Sequence, residues 1–168
     1  MIERIDVALA KALEPALLRL DKSYDVILFD CAAGTGALSL AAVRLSRVVI
    51  SPSVLDSVSL GALQDFIRII IRQDLALTGQ LAHYMLPALF RTADPEQHQK
   101  LDHIRAGTIK LKTITRPVPD TVHIRRATER IRPESFRTLR EKYAGALPEL
   151  EALARSVAAI IKTEGTKP

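Results

Sequence analysis

Residues 24–53 read YDVILFDCAAGTGALSLAAVRLSRVVISPS, and the fold turns on this stretch. Val26-Ile27-Leu28-Phe29 is an unbroken apolar run that ends in Asp30. Runs of this kind mark strands buried on both faces, as in parallel sheets. A loop of small residues follows (Cys31 to Gly36), then a helix over about 37–45. Arg47-Val48-Val49-Ile50 reads as a second short buried strand, stopped by Pro52. Together they form a strand–loop–helix–strand unit.

Upstream, Ile2, Ile5, Leu9, Leu13, Leu17 and Leu20 recur at helical spacing, and Pro15 is expected to kink or divide that helix. Downstream, residues 56–73 fit a long helix with Val58, Leu60, Leu63, Phe66, Ile67 and Ile70 inward, capped by Asp56 or Ser57. Residues 80–89 read as a third strand, with pairing limited by Pro87. Pro95 suits the first turn of a helix running to about 106. Ile109, Leu111 and Ile114 make a fourth strand, and residues 116–121 a Pro-rich loop. Helices at about 134–143 and 148–162 complete a single domain over 1–162, with a frayed tail at 163–168. Alternation of strands and helices predicts an α/β fold with a mostly parallel sheet flanked by helices. Ligands of such folds bind beyond the carboxyl ends of the strands. Asp30, Pro52 and the 117–121 loop are expected there.

Composition narrows the function. The 168 residues are 48% hydrophobic with a mean hydropathy of +0.11, so a sizeable core can form. Aromatic residues are 4% and Trp is absent, which removes a base-stacking surface for single strands. A single Cys excludes an internal disulfide and a Cys-based metal site. No apolar run nears the ~20 residues of a membrane span, and the start of the chain does not read as a signal peptide. The expectation is a cytoplasmic protein with no membrane.

The net charge of +5 is unevenly spread. Within residues 100–142, 12 Lys and Arg stand against 5 Asp and Glu. A basic half on a neutral half points to a polyanion-facing surface, or to a plain solvated face. Lys110, Lys112, Arg116, Arg125, Arg126, Arg130, Arg132, Arg137 and Arg140 make up the basic set, with Arg125, Arg126 and Arg130 near one side of a helix turn.

Asp30 carries the sharpest chemical reading. A carboxylate ending a buried strand is how a Walker B motif holds Mg²⁺ or its water; an Asp in this place also serves as a turn former or helix cap. The chain has no Gly-Lys pair, so it has no P-loop to grip a β- or γ-phosphate. Cys31 reads as a small buried spacer rather than a nucleophile. His83, His98, His103 and His123 are scattered, and no serine has a nucleophile-elbow context.

Residues 24–43, 48–70 and 119–127 together resemble the ParA/MinD family of deviant-Walker partition ATPases. The first has the family's Tyr-Asp, apolar strand, Asp and small loop, with Ala33-Gly34 closer to the MinD form. The second has the next strand, its Pro, Asp56 and the Leu60/Leu63 helix. The third, PDTVHIRRA, resembles a segment near the nucleotide base, although Asp120 and Thr121 replace the usual Arg and Asn. The resemblance covers about residues 20–160 and implies a partial P-loop NTPase-like fold, the carboxyl-terminal part without the P-loop.

It further implies an ATP-linked dimer cycle on nucleoid DNA. Asp30 would position Mg²⁺ or water, Pro119, Asp120 and Thr121 would face the ATP base, and Arg125, Arg126, Arg130, Lys110 and Lys112 would contact DNA without reading sequence. The implied partners are a ParB-like protein and either a second copy or a P-loop-bearing chain. Without a P-loop this chain alone is expected not to hydrolyse ATP. The competing expectation is a non-enzymatic interaction module, or a decayed fragment, on the same scaffold. The resemblance also implies a further strand, central to the sheet in relatives, without which the Val26–Phe29 strand would leave an edge to be covered.

Overall fold

A computed structural model describes residues 2–72, 81–107, 112–129 and 138–164. The elements in order are α1 (Ile2–Leu20), α2 (Ala37–Leu45), β1 (Val48–Ser53), α3 (Ser57–Arg72), β2 (Ala82–Pro87), α4 (Pro95–Arg105), β3 (Lys112–Thr113), α5 (Val122–Glu129), α6 (Leu139–Tyr143), a 3₁₀ turn (Ala144–Ala146) and α7 (Leu147–Glu164). The strands form one three-stranded sheet in the order β1-β2-β3. The fold is α/β, with a parallel sheet flanked by helices.

Pairing follows from the hydrogen bonds. Ala82 N–H donates to Arg47 O and Ala88 N–H to Ser53 O, a constant offset that only parallel strands give. On the other side of β2, Tyr84 pairs with Lys112 and Met85 with Thr113, also in parallel. Parallel neighbours need crossovers, and α3 and α4 supply them between successive strands.

Pro52 was expected to stop β1, yet the strand runs through it to Ser53. The offset explains why. Odd-numbered residues of β1 turn their backbone groups to β2, so the amide that Pro52 lacks would have pointed to the open side. Among the described residues β1 is an edge strand, where a proline costs no ladder bond.

The expected strand at Val26–Phe29 does not form, and this corrects the reading of residues 24–30. The stretch belongs to no helix or strand. Leu28 is 80% exposed, and Tyr24, Val26 and Phe29 are also exposed. Among the described residues no strand lies alongside to take its backbone groups, so the apolar run stays unpaired. Pro15 does not divide α1, which is continuous over 19 residues.

The chain divides into two compact units, residues 1–49 with 64–82 and residues 50–63 with 83–168. In the first, α1 packs on α2 through small side chains, Ala10 against a helix whose Leu40, Ala41, Ala42 and Val43 are buried. Asp6 lies on that inner face, fully buried, and its Oδ2 accepts from Arg44 Nε. Ile5, expected inward, is exposed.

In the second unit the core is aliphatic around Met85, with Leu55, Leu63, Leu86, Phe90, Leu101, Ile104 and Ile114 buried. Asp94 caps α4 by accepting from the amides of Glu96 and Gln97 at 3.1 and 3.3 Å, directly before Pro95. Glu164 near the end of α7 is buried. It accepts from Lys112 Nζ and, at 2.9 Å, from the Tyr84 hydroxyl, which fastens the helix to β2 and β3. Lys112 also lies 5.3 Å from the Tyr84 ring centre. The Glu164 carboxylate holds the Lys112 ammonium above its ordinary range, while burial is the first cause raising the Tyr84 phenol.

Candidate functional site: the loop after β2 and the basic helix

In the second unit, the chain leaving β2 turns sharply. Leu89 adopts φ +51°, a left-handed backbone rarely used by residues with a side chain. The next residue continues the parallel pairing beyond the sheet. Phe90 N–H donates to Val118 O and Asp120 N–H to Phe90 O, both at 2.9 Å, and Phe90 bridges Pro119. Phe90 is buried, with its ring edge-on to His98 at 4.9 Å. The buried Gln97 accepts from Arg91 N–H at 2.8 Å, and Arg91 pairs with Asp94. The residues 88–94 are therefore fixed to the 118–120 segment and to the start of α4.

Pro119, Asp120 and Thr121 lie together on this rim, and two of their side chains have local work. Thr121 Oγ1 accepts from Ile124 N–H at 3.3 Å, which caps α5. The Asp120 carboxylate pairs with Arg125 Nε at 3.4 Å. Helix α5 itself has no counterpart among the helices expected from periodicity. Thr121, placed two residues after Pro119, was the sequence signal for it.

α5 carries two exposed cations. The Arg125 side chain is 65% exposed despite its partner, and Arg126 is exposed. α5 packs on α6 and on the 3₁₀ turn. α6 adds the exposed Arg140, and Lys142, whose ammonium sits 5.1 Å from the Tyr143 ring centre. Lys112, expected in the same set, is engaged with Glu164. Lys110 and Arg130 lie outside the described residues.

At the end of β1, Asp56 caps α3. Its carboxylate accepts from the Ser59 amide at 2.8 Å and from the Ser59 hydroxyl at 2.9 Å. The amide first, and then the hydroxyl, hold this acid below the usual carboxylate range. Between β1 and β2, Ser51 Oγ lies 2.8 Å from His83 Nε2. Burial lowers the His83 imidazole to about 4, so the ring is neutral at pH 7.

Asp30 belongs to the first unit. It does not end a strand, and it is exposed in the unpaired stretch. Among the described residues no three acidic, His or Cys side chains converge on a point that could hold a metal. The donor set does not fit Mg²⁺-ATP. Asp30 has no ladder to fix its direction, and Asp120 and Thr121 are spent on an ion pair and a cap.

No helix of the described residues is long and apolar enough to cross a membrane. Compared with models of protein families and with characterised proteins, the chain matches none.

Proposed function

We propose that the chain is a non-specific duplex-DNA-binding module on a ParA/MinD-like, P-loop NTPase-type scaffold, serving partition of a plasmid or chromosome. The observation that carries this reading is α5, which exposes Arg125 and Arg126 and packs on α6, where Arg140 is also exposed. Exposed cations bind phosphates without reading bases. Support also comes from the order and spacing of the three stretches that resemble the family. ATP, Mg²⁺ and the dimer cycle would belong to an assembly in which a P-loop-bearing chain supplies the phosphate grip. A ParB-like protein is the partner this reading requires, and association with the nucleoid follows from the DNA surface.

A second reading, a non-enzymatic interaction module, is favoured by one observation. Asp30, the residue expected to hold Mg²⁺, is exposed and unsupported by a strand.

A salt series of gel shifts with arbitrary duplex DNA tests the first reading. Affinity should fall linearly in log salt, and Arg125→Ala with Arg126→Ala should reduce the slope by about 2. An unchanged slope, or no binding at low salt, removes DNA from the account and leaves the interaction module.

A further inference from the structure

Residues 24–30 pose a problem of unmet hydrogen bonds. From Val26 to Ala32 the chain runs without turn or bend. Among the described residues, none of the backbone N–H or C=O groups of 25–31 has a protein partner. The side chains are those of a buried strand, with Val26, Ile27, Leu28 and Phe29 in succession. Yet Val26 and Leu28, which share one side of an extended chain, are 44% and 80% exposed. An apolar surface alone accepts many shapes. A row of unpaired amides and carbonyls accepts one, another extended backbone.

Charge selects the partner. Asp21, Asp25 and Asp30 flank the apolar run, with only Lys22 against them, and all four are exposed. A second copy of the chain fits poorly. In a symmetric antiparallel pair centred between Ile27 and Leu28, Asp25 of each copy stands opposite Asp30 of the other. In a parallel, in-register pair each Asp faces its own counterpart. Like charges placed directly opposite destabilise a ladder. An apolar strand with cationic flanks has the opposite sign of interaction at the same positions.

We infer that residues 24–30 are a docking strand for an extended apolar segment with Lys or Arg flanks, carried by another polypeptide. The inference stands on the backbone and charge of this segment and does not depend on the DNA-binding reading.

The test uses residues 1–168 and two labelled synthetic peptides, KKVIVIVKK and EEVIVIVEE. The first should bind, slow amide exchange at residues 25–30, and bind roughly five- to tenfold more tightly than the second. Asp25→Lys with Asp30→Lys should reverse that preference. Leu28→Pro and Phe29→Pro remove amides of opposite parity, so at least one should abolish binding. Helix content should be unchanged, because the segment belongs to no helix. Equal binding of both peptides, unchanged exchange at 25–30, or binding that survives both prolines would overturn the inference. Concentration-dependent doubling of mass that is lost with Leu28→Pro or Phe29→Pro would overturn it in favour of a second copy.

Discussion

The His123 imidazole lies against Gly145 so closely that a β-carbon there would sit 2.5 Å from Nδ1. The contact joins α5 to the 3₁₀ turn that leads into α7. The glycine backbone is not left-handed, so the requirement at this position is space alone. Gly145→Ala should therefore destabilise the chain by about 1–3 kcal/mol, since the ring must move. Adding His123→Ala should recover most of the loss, because the two residues are coupled. Urea denaturation of the single and double variants reads the coupling directly. Equal stability of Gly145→Ala and the parent would show that the ring gives way freely.

A second prediction concerns Asp6 and Arg44. Asp6 is fully buried between α1 and α2; one carboxylate oxygen takes the Arg44 Nε, and Oδ1 has no hydrogen-bond partner. Removing one member of such a pair strands a buried charge. Arg44→Met should cost about 3–5 kcal/mol, whereas Asp6→Leu combined with Arg44→Met should be near neutral or stabilising. Thermal denaturation of the three proteins separates these outcomes, and a double variant as weak as Arg44→Met would count against the account.

That pair also shows where the sequence was silent. Helical spacing fitted α1 with Ile5 inward, but the helix is turned so that Asp6 and Ala10 face α2. A buried ion pair and a small-residue contact outweigh the apolar periodicity, and neither is visible in one helix read alone. The legible parts were those where local chemistry and pattern agreed. Asp94-Pro95 announces α4, and the Val-Val-Ile run announces β1. Val26–Phe29 failed for a different reason. An apolar run states that burial would be favourable, whereas a strand exists only where a second backbone completes the ladder. At the candidate site, Pro119, Asp120 and Thr121 do share a rim. Their capping and pairing roles depend on α5, whose eight residues give little periodicity to read.

The His83 imidazole gives the fold a pH dependence with a definite sign. Its folded value of about 4 lies below the ordinary 6.5. Between those values the unfolded chain binds a proton that the folded chain refuses. Stability is therefore unaffected above pH 6.5, falls as pH drops below it, and is fully reduced below about pH 4. At pH 5 the loss is about 2 kcal/mol. His83→Gln should remove this part of the dependence. The check is the difference in unfolding free energy between pH 7.5 and pH 5 for both proteins. Identical differences would show that the imidazole does not titrate against folding.

Lys112 separates stability from DNA contact within the basic set. Its ammonium is held by Glu164, which is 7% exposed, and it lies over the Tyr84 ring. Lys112→Met leaves the buried carboxylate with fewer donors and should cost about 1–3 kcal/mol of stability. Arg126 is exposed on α5, so Arg126→Ala should leave stability within about 0.5 kcal/mol. In DNA binding the order should invert. Arg126→Ala should lower the salt slope by about 1. Lys112→Met, measured where it remains folded, should change it less, because that cation already faces a carboxylate. The paired measurement, urea midpoint and salt slope on both variants, is decisive. A slope reduced more by Lys112→Met than by Arg126→Ala would move the phosphate-contacting surface from α5 to the sheet.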